Sequence, residues 1–442
     1  MALFSKFFKK ENVRHGNNYQ IIEFGRFLSC NKPYTVNKIF NTAQQLYKSE
    51  DYFGSFEKFL SFLENPSQKN IIKSVASDII DFTLIQGSQK LSGSFDKDDF
   101  YVSCTIGKYK ELNPALFRYL LAKNHNLQYS CFAVNHNEII LKAYSKTEES
   151  SPEKLFFILK EIALTADIET EAFKKEFPYL ERSNLAEKIE LDDDELKVKI
   201  KFLKKWITNC LEVTKESPGT DDVLKTYAIL SLLYRIDFLL VPEGRVKLIV
   251  QKCISLFNQR GMSPANRTDS IKALLLEITS LSNNELADSF CRYKYTFGIV
   301  EATSHKVVYE FILKQLNQIN SFYSRKYNNE QLKFFYEYII GYVLYYYGVY
   351  PATKKLLLLI YRVLYPEFFK EINAGAGFFS PEDNKPDKIA IESYITNVIQ
   401  LERKEYPYLS IELSNIEYND KTSFVKTLLN EITFLNFSQP GL

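Results

Sequence analysis

Polar and apolar side chains alternate along Ile79 to Ile85 and along Tyr101 to Ile106, which predicts strands with one buried face. A third strand, around Lys90 to Phe95, pairs between them. Asn113 and Pro114 then precede Leu116, Phe117, Leu120 and Leu121, the signature of a capped helix with proline in its first turn. Two more strands follow, Tyr129 to Val134 and Glu138 to Tyr144. Asn135, His136 and Asn137 between them tolerate the tight backbone of a hairpin. Ser151 and Pro152 open a helix whose stripe of Leu155, Ile158, Leu159, Ile162 and Ala166 keeps helical spacing. The order is three strands, helix, two strands, helix, and the pattern predicts one antiparallel sheet with helices on a single face.

Before this stretch the period is helical. Thr35 is placed to cap a helix carrying Val36, Ile39, Phe40, Ala43, Leu46 and Tyr47, and a second carries Tyr52, Phe53, Phe56, Phe59, Leu60 and Leu63. From Leu196 onward every convincing element is helical. Phe202, Trp206, Ile207, Cys210 and Leu211 form one stripe; Tyr227, Leu230, Leu233, Tyr234 and Phe238 form another, interrupted at Pro242. Further helices are expected at about 243–259, 267–281, 302–325, 329–348, 352–372, 385–404 and 421–435, with no fixed-period repeat across them. Residues 373–379, with their Gly375 and Gly377, form a loop. The sequence therefore divides into an N-terminal arm (1–34), a helical hairpin (35–72), an α+β module (73–175), a linker (176–195) and an all-α domain (196–442).

The stretch from Leu112 to Leu121, followed by Tyr129 to Val134 and by Ser151 to Leu155 in that strand and helix order, resembles the YbjN family over about residues 74–170. Such proteins are similar to the class I chaperones of type III secretion. The resemblance implies a small α+β module that can form a homodimer and bind protein segments, and it carries no catalytic signature. Residues 35–66 resemble a single tetratricopeptide repeat, with Ser55 where that pattern prefers Ala and Pro66 about one residue early. A lone repeat cannot stack, so a helical hairpin packed on the sheet is the expected outcome.

Tyr342, Tyr345, Tyr346, Tyr347 and Tyr350, with the apolar run that follows, make the densest aromatic patch in the chain. Gly348 and Pro351 mark a bend between two helices, with Leu357, Ile360 and Leu364 facing inward. The patch reads as core packing or as a peptide groove, and Tyr342, Tyr345, Tyr346 and Tyr350 are the candidate protein-binding residues.

Composition narrows the chemistry. The 442 residues include 30 Tyr and 35 Phe against a single Trp, a supply that fills a core or a partner surface. A formal net charge of +2 gives no field for steering nucleic acid. The basic run Lys197 to Lys205 is expected to be a solvated helix face, with Asp193 and Glu195 four residues ahead of Lys197 and Lys199. Six scattered cysteines read as buried reduced thiols of a cytosolic protein. Phe4, Phe7 and Phe8 beside Lys6, Lys9 and Lys10 could touch a membrane surface, but a frayed or docking N-terminus is the expectation, and no run reaches the roughly 20 apolar residues of a span.

Nucleophile elbows, phosphate loops and zinc spacings are missing from the sequence, and the aspartates at 96, 98 and 99 suit a turn. No catalytic, cofactor or metal residues are assigned. The expectation is a non-enzymatic protein-binding factor, chaperone-like or adaptor-like, of a bacterial cytosol, with a protein client and no cofactor. A scaffold subunit of a larger assembly is the alternative, and an enzyme of unrecognised type the second.

Overall fold

The computed structural model describes residues 24–25, 32–66, 68–111, 113–181, 185–215, 221–375 and 377–438. Residues 1–23, with the Phe/Lys segment, and Cys30 lie outside them. Two compact units are formed: one from residues 32–190 with 292–299, the other from 191–291 and 300–442 with Phe24 and Gly25. The chain is α+β: an antiparallel sheet and a large helical part.

The sheet unit opens with α1 (Tyr34–Lys48) and α2 (Tyr52–Leu63), which pack side by side. Pro33, not Thr35, stands at the N-cap of α1, because proline's fixed φ suits a helix start. Ser55 sits buried at the hairpin contact, where its hydroxyl donates to the carbonyl of Ala43 at 2.8 Å. Six strands follow around two helices: β1 (Ile71–Ala76), β2 (Ile79–Gln86), β3 (Gln89–Phe95), β4 (Asp99–Lys108), α3 (Pro114–Asn124), β5 (Cys131–Asn135), β6 (Glu138–Lys146) and α4 (Pro152–Glu176). Their order is β1-β2-β3-β4-β6-β5, with every pair antiparallel. Strand β1 joins the three-strand set read from the pattern and forms an edge.

Alternation decides the faces. Ile80, Phe82, Leu84, Leu91, Phe95, Phe100, Val102, Cys104, Leu141 and Ala143 are buried. Phe56 of α2 stacks on Phe95 at 4.3 Å and meets Phe82 and Phe100 edge-on. The predicted stripe of α4, Leu155, Ile158, Leu159, Ile162 and Ala166, is buried throughout. Asn113 and Ser151 cap their helices as the sequence suggested, accepting from Ala115 at 2.8 Å and Lys154 at 3.3 Å. The opposite face carries the exposed cross-strand pair Tyr101 and Tyr144. Asp96 accepts the amides of Asp98 and Asp99, each at 2.8 Å, so the acidic turn does backbone work.

Residues 292–299, though far along the chain, belong to this unit. The Gln86 carboxamide accepts the amides of Thr296 and Phe297 at 3.0 and 2.9 Å and donates to the Phe297 carbonyl at 3.1 Å. Thr296 also donates its hydroxyl to the Ile85 carbonyl at 2.8 Å, while Phe297 meets Phe156 edge-on.

The helical unit contains α5 (Asp193–Val213), α6 (Asp222–Arg235), α7 (Gly244–Asn258), α8 (Pro264–Ser280), α9 (Asn283–Ala287), α10 (His305–Ser321), α11 (Asn329–Tyr346), α12 (Pro351–Leu364), α13 (Pro366–Glu371), α14 (Lys388–Glu402) and α15 (Lys421–Thr433). A π-turn, Ile236–Leu240, prolongs α6 and ends at Val241 with φ +49°. Gly341 of α11 lets α6 approach closely; a Cβ there would stand 2.5 Å from Tyr234. Leu357, Ile360 and Leu364 of α12 are buried. No helix among the described residues is long and apolar enough to cross a membrane. The basic run is only partly solvated: Lys197 and Lys201 are exposed, but Lys199 is buried and pairs with Glu195 at 3.1 Å.

Candidate functional site

The four candidate tyrosines do not share one surface. Tyr342 stacks on Phe311 at 4.4 Å and meets Tyr346 at a tilt at 4.5 Å, and Tyr345 and Tyr346 surround Tyr234. Tyr350 lies elsewhere, stacked on Phe437 at 4.0 Å beside a cavity of about 480 Å³ that also includes His305. All four are half-buried rings packed against the helical core.

A larger cleft, about 1210 Å³, lies within the same unit. One wall is the middle of α5, with Phe202, Lys205 and Trp206. The other is built where Pro366 breaks α12 from α13, so that Tyr365 steps out of helical geometry and Phe368 and Phe369 follow it. The segment with Gly375 and Gly377, which reads as a loop in the sequence, contributes Phe379 to the rim, and α15 contributes Lys421 from its first turn. Trp206, the only tryptophan of the chain, packs on Tyr365 at 5.5 Å and Phe368 at 5.2 Å.

Buried charge fixes the wall from behind. Arg235 at the end of α6 places its guanidinium 4.7 Å from the Trp206 ring and 4.3 Å from the Tyr365 ring. Its Nη1 donates to Glu337 Oε1 at 2.8 Å and to the Tyr365 hydroxyl oxygen. The Tyr365 hydroxyl in turn donates to Glu337 Oε2 at 2.6 Å. Glu337 is fully buried, and burial pushes its carboxyl up against the pull of Arg235 and Lys333. Tyr365 is thus held by an ion pair it does not itself belong to.

The lining holds four cations, Lys205, Arg362, Lys370 and Lys421, against one carboxylate, Glu367. Lys205 takes up that carboxylate at 2.7 Å and holds it below its ordinary range. The Lys421 ammonium stands 4.1 Å over the Phe379 ring and donates to the Leu364 carbonyl at 3.4 Å. Burial lowers the Lys421 amine, and the charge of neighbouring Lys333 lowers it further. Lys333, 4.7 Å from the Tyr365 ring, is lowered chiefly by burial too.

The cleft thus sets cations beside Tyr365 and Phe379, the two aromatic rings of its lining that are only half-buried. No group of three or more His, Cys, Asp or Glu side chains that could hold a metal converges among the described residues. Cys104 and Cys210 are buried, which pushes each thiol up to about 12, whereas Cys131 on the sheet edge is exposed, in contrast to the uniformly buried thiols expected. No protein-family model matches the chain, and no curated protein matches it.

Proposed function

We propose that this chain is a non-enzymatic protein-binding factor, of adaptor or chaperone type and from a bacterial cytosol, and that the cleft of the helical unit receives an extended polypeptide segment. The cleft itself carries the reading. At about 1210 Å³ it exceeds the roughly 300–1,000 Å³ usual for small-molecule pockets, and six of its lining residues are aromatic, of which Tyr365 and Phe379 are only half-buried. A YbjN-type sheet module, read from the order of its strands and helices, fits the same class of function.

Trp206 gives the direct test, because the chain's only indole lies in the cleft. Native mass spectrometry of the full chain purified from its own cell should retain a polypeptide. Adding that polypeptide to the stripped chain should shift Trp206 emission. A retained metabolite-sized mass that shifts the same emission overturns the proposal in favour of a small-ligand protein.

A further inference from the structure

We infer that residues 434–438 form an acid-released latch: a proton taken up by His305 frees this segment from the helical unit and uncovers Tyr350 and the cavity beside it. The geometry of one imidazole carries the inference. His305 is the first residue of α10, and its Nε2 lies 3.2 Å from the carbonyl oxygen of Thr433, the last residue of α15. A carbonyl can only accept, so Nε2 bears the hydrogen and the neutral ring keeps its lone pair on Nδ1. Nδ1 is itself buried and has no hydrogen-bond partner among the described residues. A second proton therefore arrives where nothing accepts it. The segment that follows Thr433 closes over the ring: Phe437 meets His305 edge-on at 5.1 Å, stacks on Tyr350 at 4.0 Å and meets Tyr406 edge-on at 5.2 Å.

The surroundings offer a cation little support. Helix α10 contributes Lys306, a like charge, and Tyr309; the bend before α12 contributes Tyr350, and the stretch after α14 contributes Tyr406. Burial raises both Tyr350 and Tyr406, the latter to about 12, so neither ring carries charge in acid. Phe434 to Ser438 include no ionisable side chain. Glu402 and Glu405 act on Tyr406, and Glu310 stands 4.0 Å from Lys306, but none of these carboxylates bonds the imidazole. The start of α10 adds the partial positive charge of its free amides. Burial lowers the imidazole, against the pull of the Thr433 and Ile432 carbonyls. Freed from the segment, the ring regains water and its ordinary value of about 6.5. A folded value below the released one means that the latch holds fully above that ordinary value. It weakens as pH falls towards the folded value and changes no further below it.

The test follows the segment in the full chain. A nitroxide is attached at Ser438→Cys, an exposed position, with Cys30→Ser and Cys131→Ser so that the cysteines left are buried. The ratio of mobile to immobile label should rise by up to about tenfold per pH unit below about 6.5, at constant helical circular dichroism, and level off in stronger acid. His305→Gln keeps a donor for the Thr433 carbonyl and takes up no proton, so its label should stay immobile throughout. Should that variant lose the latch at neutral pH, the native imidazole decides. With ¹³C-labelled histidine, the one resonance of four that is absent from His305→Gln should titrate with a midpoint below about 6.5, in step with the label. A label that stays immobile from about pH 7.5 to about 4.5, a mobile fraction that rises equally in His305→Gln, or a His305 midpoint at or above about 6.5 each overturns the inference. Loss of the helical signal together with release of the label overturns it too, because the segment would then be leaving with the fold.

Discussion

Arg235 and Glu337 are buried charges of opposite sign that pair at 2.8 Å, with the Tyr365 hydroxyl and Lys333 as further neighbours of the carboxylate. Replacing Arg235 by Ala strands the Glu337 carboxylate and frees the Trp206 and Tyr365 rings from the guanidinium between them, at an expected cost of about 3–5 kcal/mol. Denaturant unfolding measures it, and Arg235→Met combined with Glu337→Leu should recover most of the loss. A cost below about 1 kcal/mol for the single change would show that the pair is not what holds the wall. Leu357 and Ile360 are simpler, being fully buried and apolar. Their replacement by Ala should cost about 2–5 kcal/mol each through lost burial and the cavity left. An unchanged melting temperature with lost peptide binding would instead make this patch part of a binding surface. At this scale the sequence spoke clearly for the apolar residues, because a helical stripe names its inward positions. It was silent on Arg235 and Glu337, which lie 102 residues apart and carry no mark of being buried together.

Among the elements, α6 is held at its start by Asp221, whose carboxylate accepts the Leu224 amide at 2.9 Å and also engages Lys326 and the Tyr327 hydroxyl at 2.9 Å. Burial would raise this carboxyl, but those partners outweigh it and hold it below the ordinary range. A depressed folded-state value means that the stabilisation is present in full above the ordinary carboxylate range and is lost as pH falls through the folded value. The melting-temperature gap between the native chain and Asp221→Asn should therefore be steady above about pH 5 and narrow as pH falls below about 4. A gap independent of pH would show that the ionised form contributes nothing. Caps at Asn113 and Ser151, and the strands β2, β3, β4 and β6, were legible because local alternation and local hydrogen bonding decide them. Strand β1 was not, since at the sheet edge Ile72 and Val75 stay exposed and the adjacent Ile71 and Ile72 break the alternation. The span expected as one helix at 352–372 is cut at Pro366, and that break creates the Tyr365 side of the cleft. The cleft escaped sequence reading for a related reason: Lys205 and Glu367, which meet across it, are separated by 162 residues.

For the whole molecule, the consequence is that neither compact unit is one continuous stretch of chain. Residues 292–299 leave the run of helices and complete the sheet unit, and no periodicity announces it, because their contacts are made by backbone amides and single polar side chains. Thr296 and Phe297 satisfy Gln86, and the Thr296 hydroxyl accepts from Asn70 at 2.9 Å, although Gln86 and Asn70 are both almost wholly buried. Removing the segment strands several buried polar groups, at about 1–3 kcal/mol for each one left unpaired, and uncovers the Phe156 ring that Phe297 packs against. A fragment of residues 32–190 is therefore expected to melt well below the sheet unit of the full chain, and a synthetic peptide of residues 292–299 added in trans should raise its melting temperature in a concentration-dependent way. Thr296→Val and Phe297→Ala in the peptide should each weaken that rescue, the first by leaving Asn70 and the Ile85 carbonyl without the hydroxyl, the second by emptying the space beside Phe156. A fragment that melts with the full chain's sheet unit and ignores the peptide would show that the segment is a passenger on the sheet and that residues 32–190 hold their fold alone.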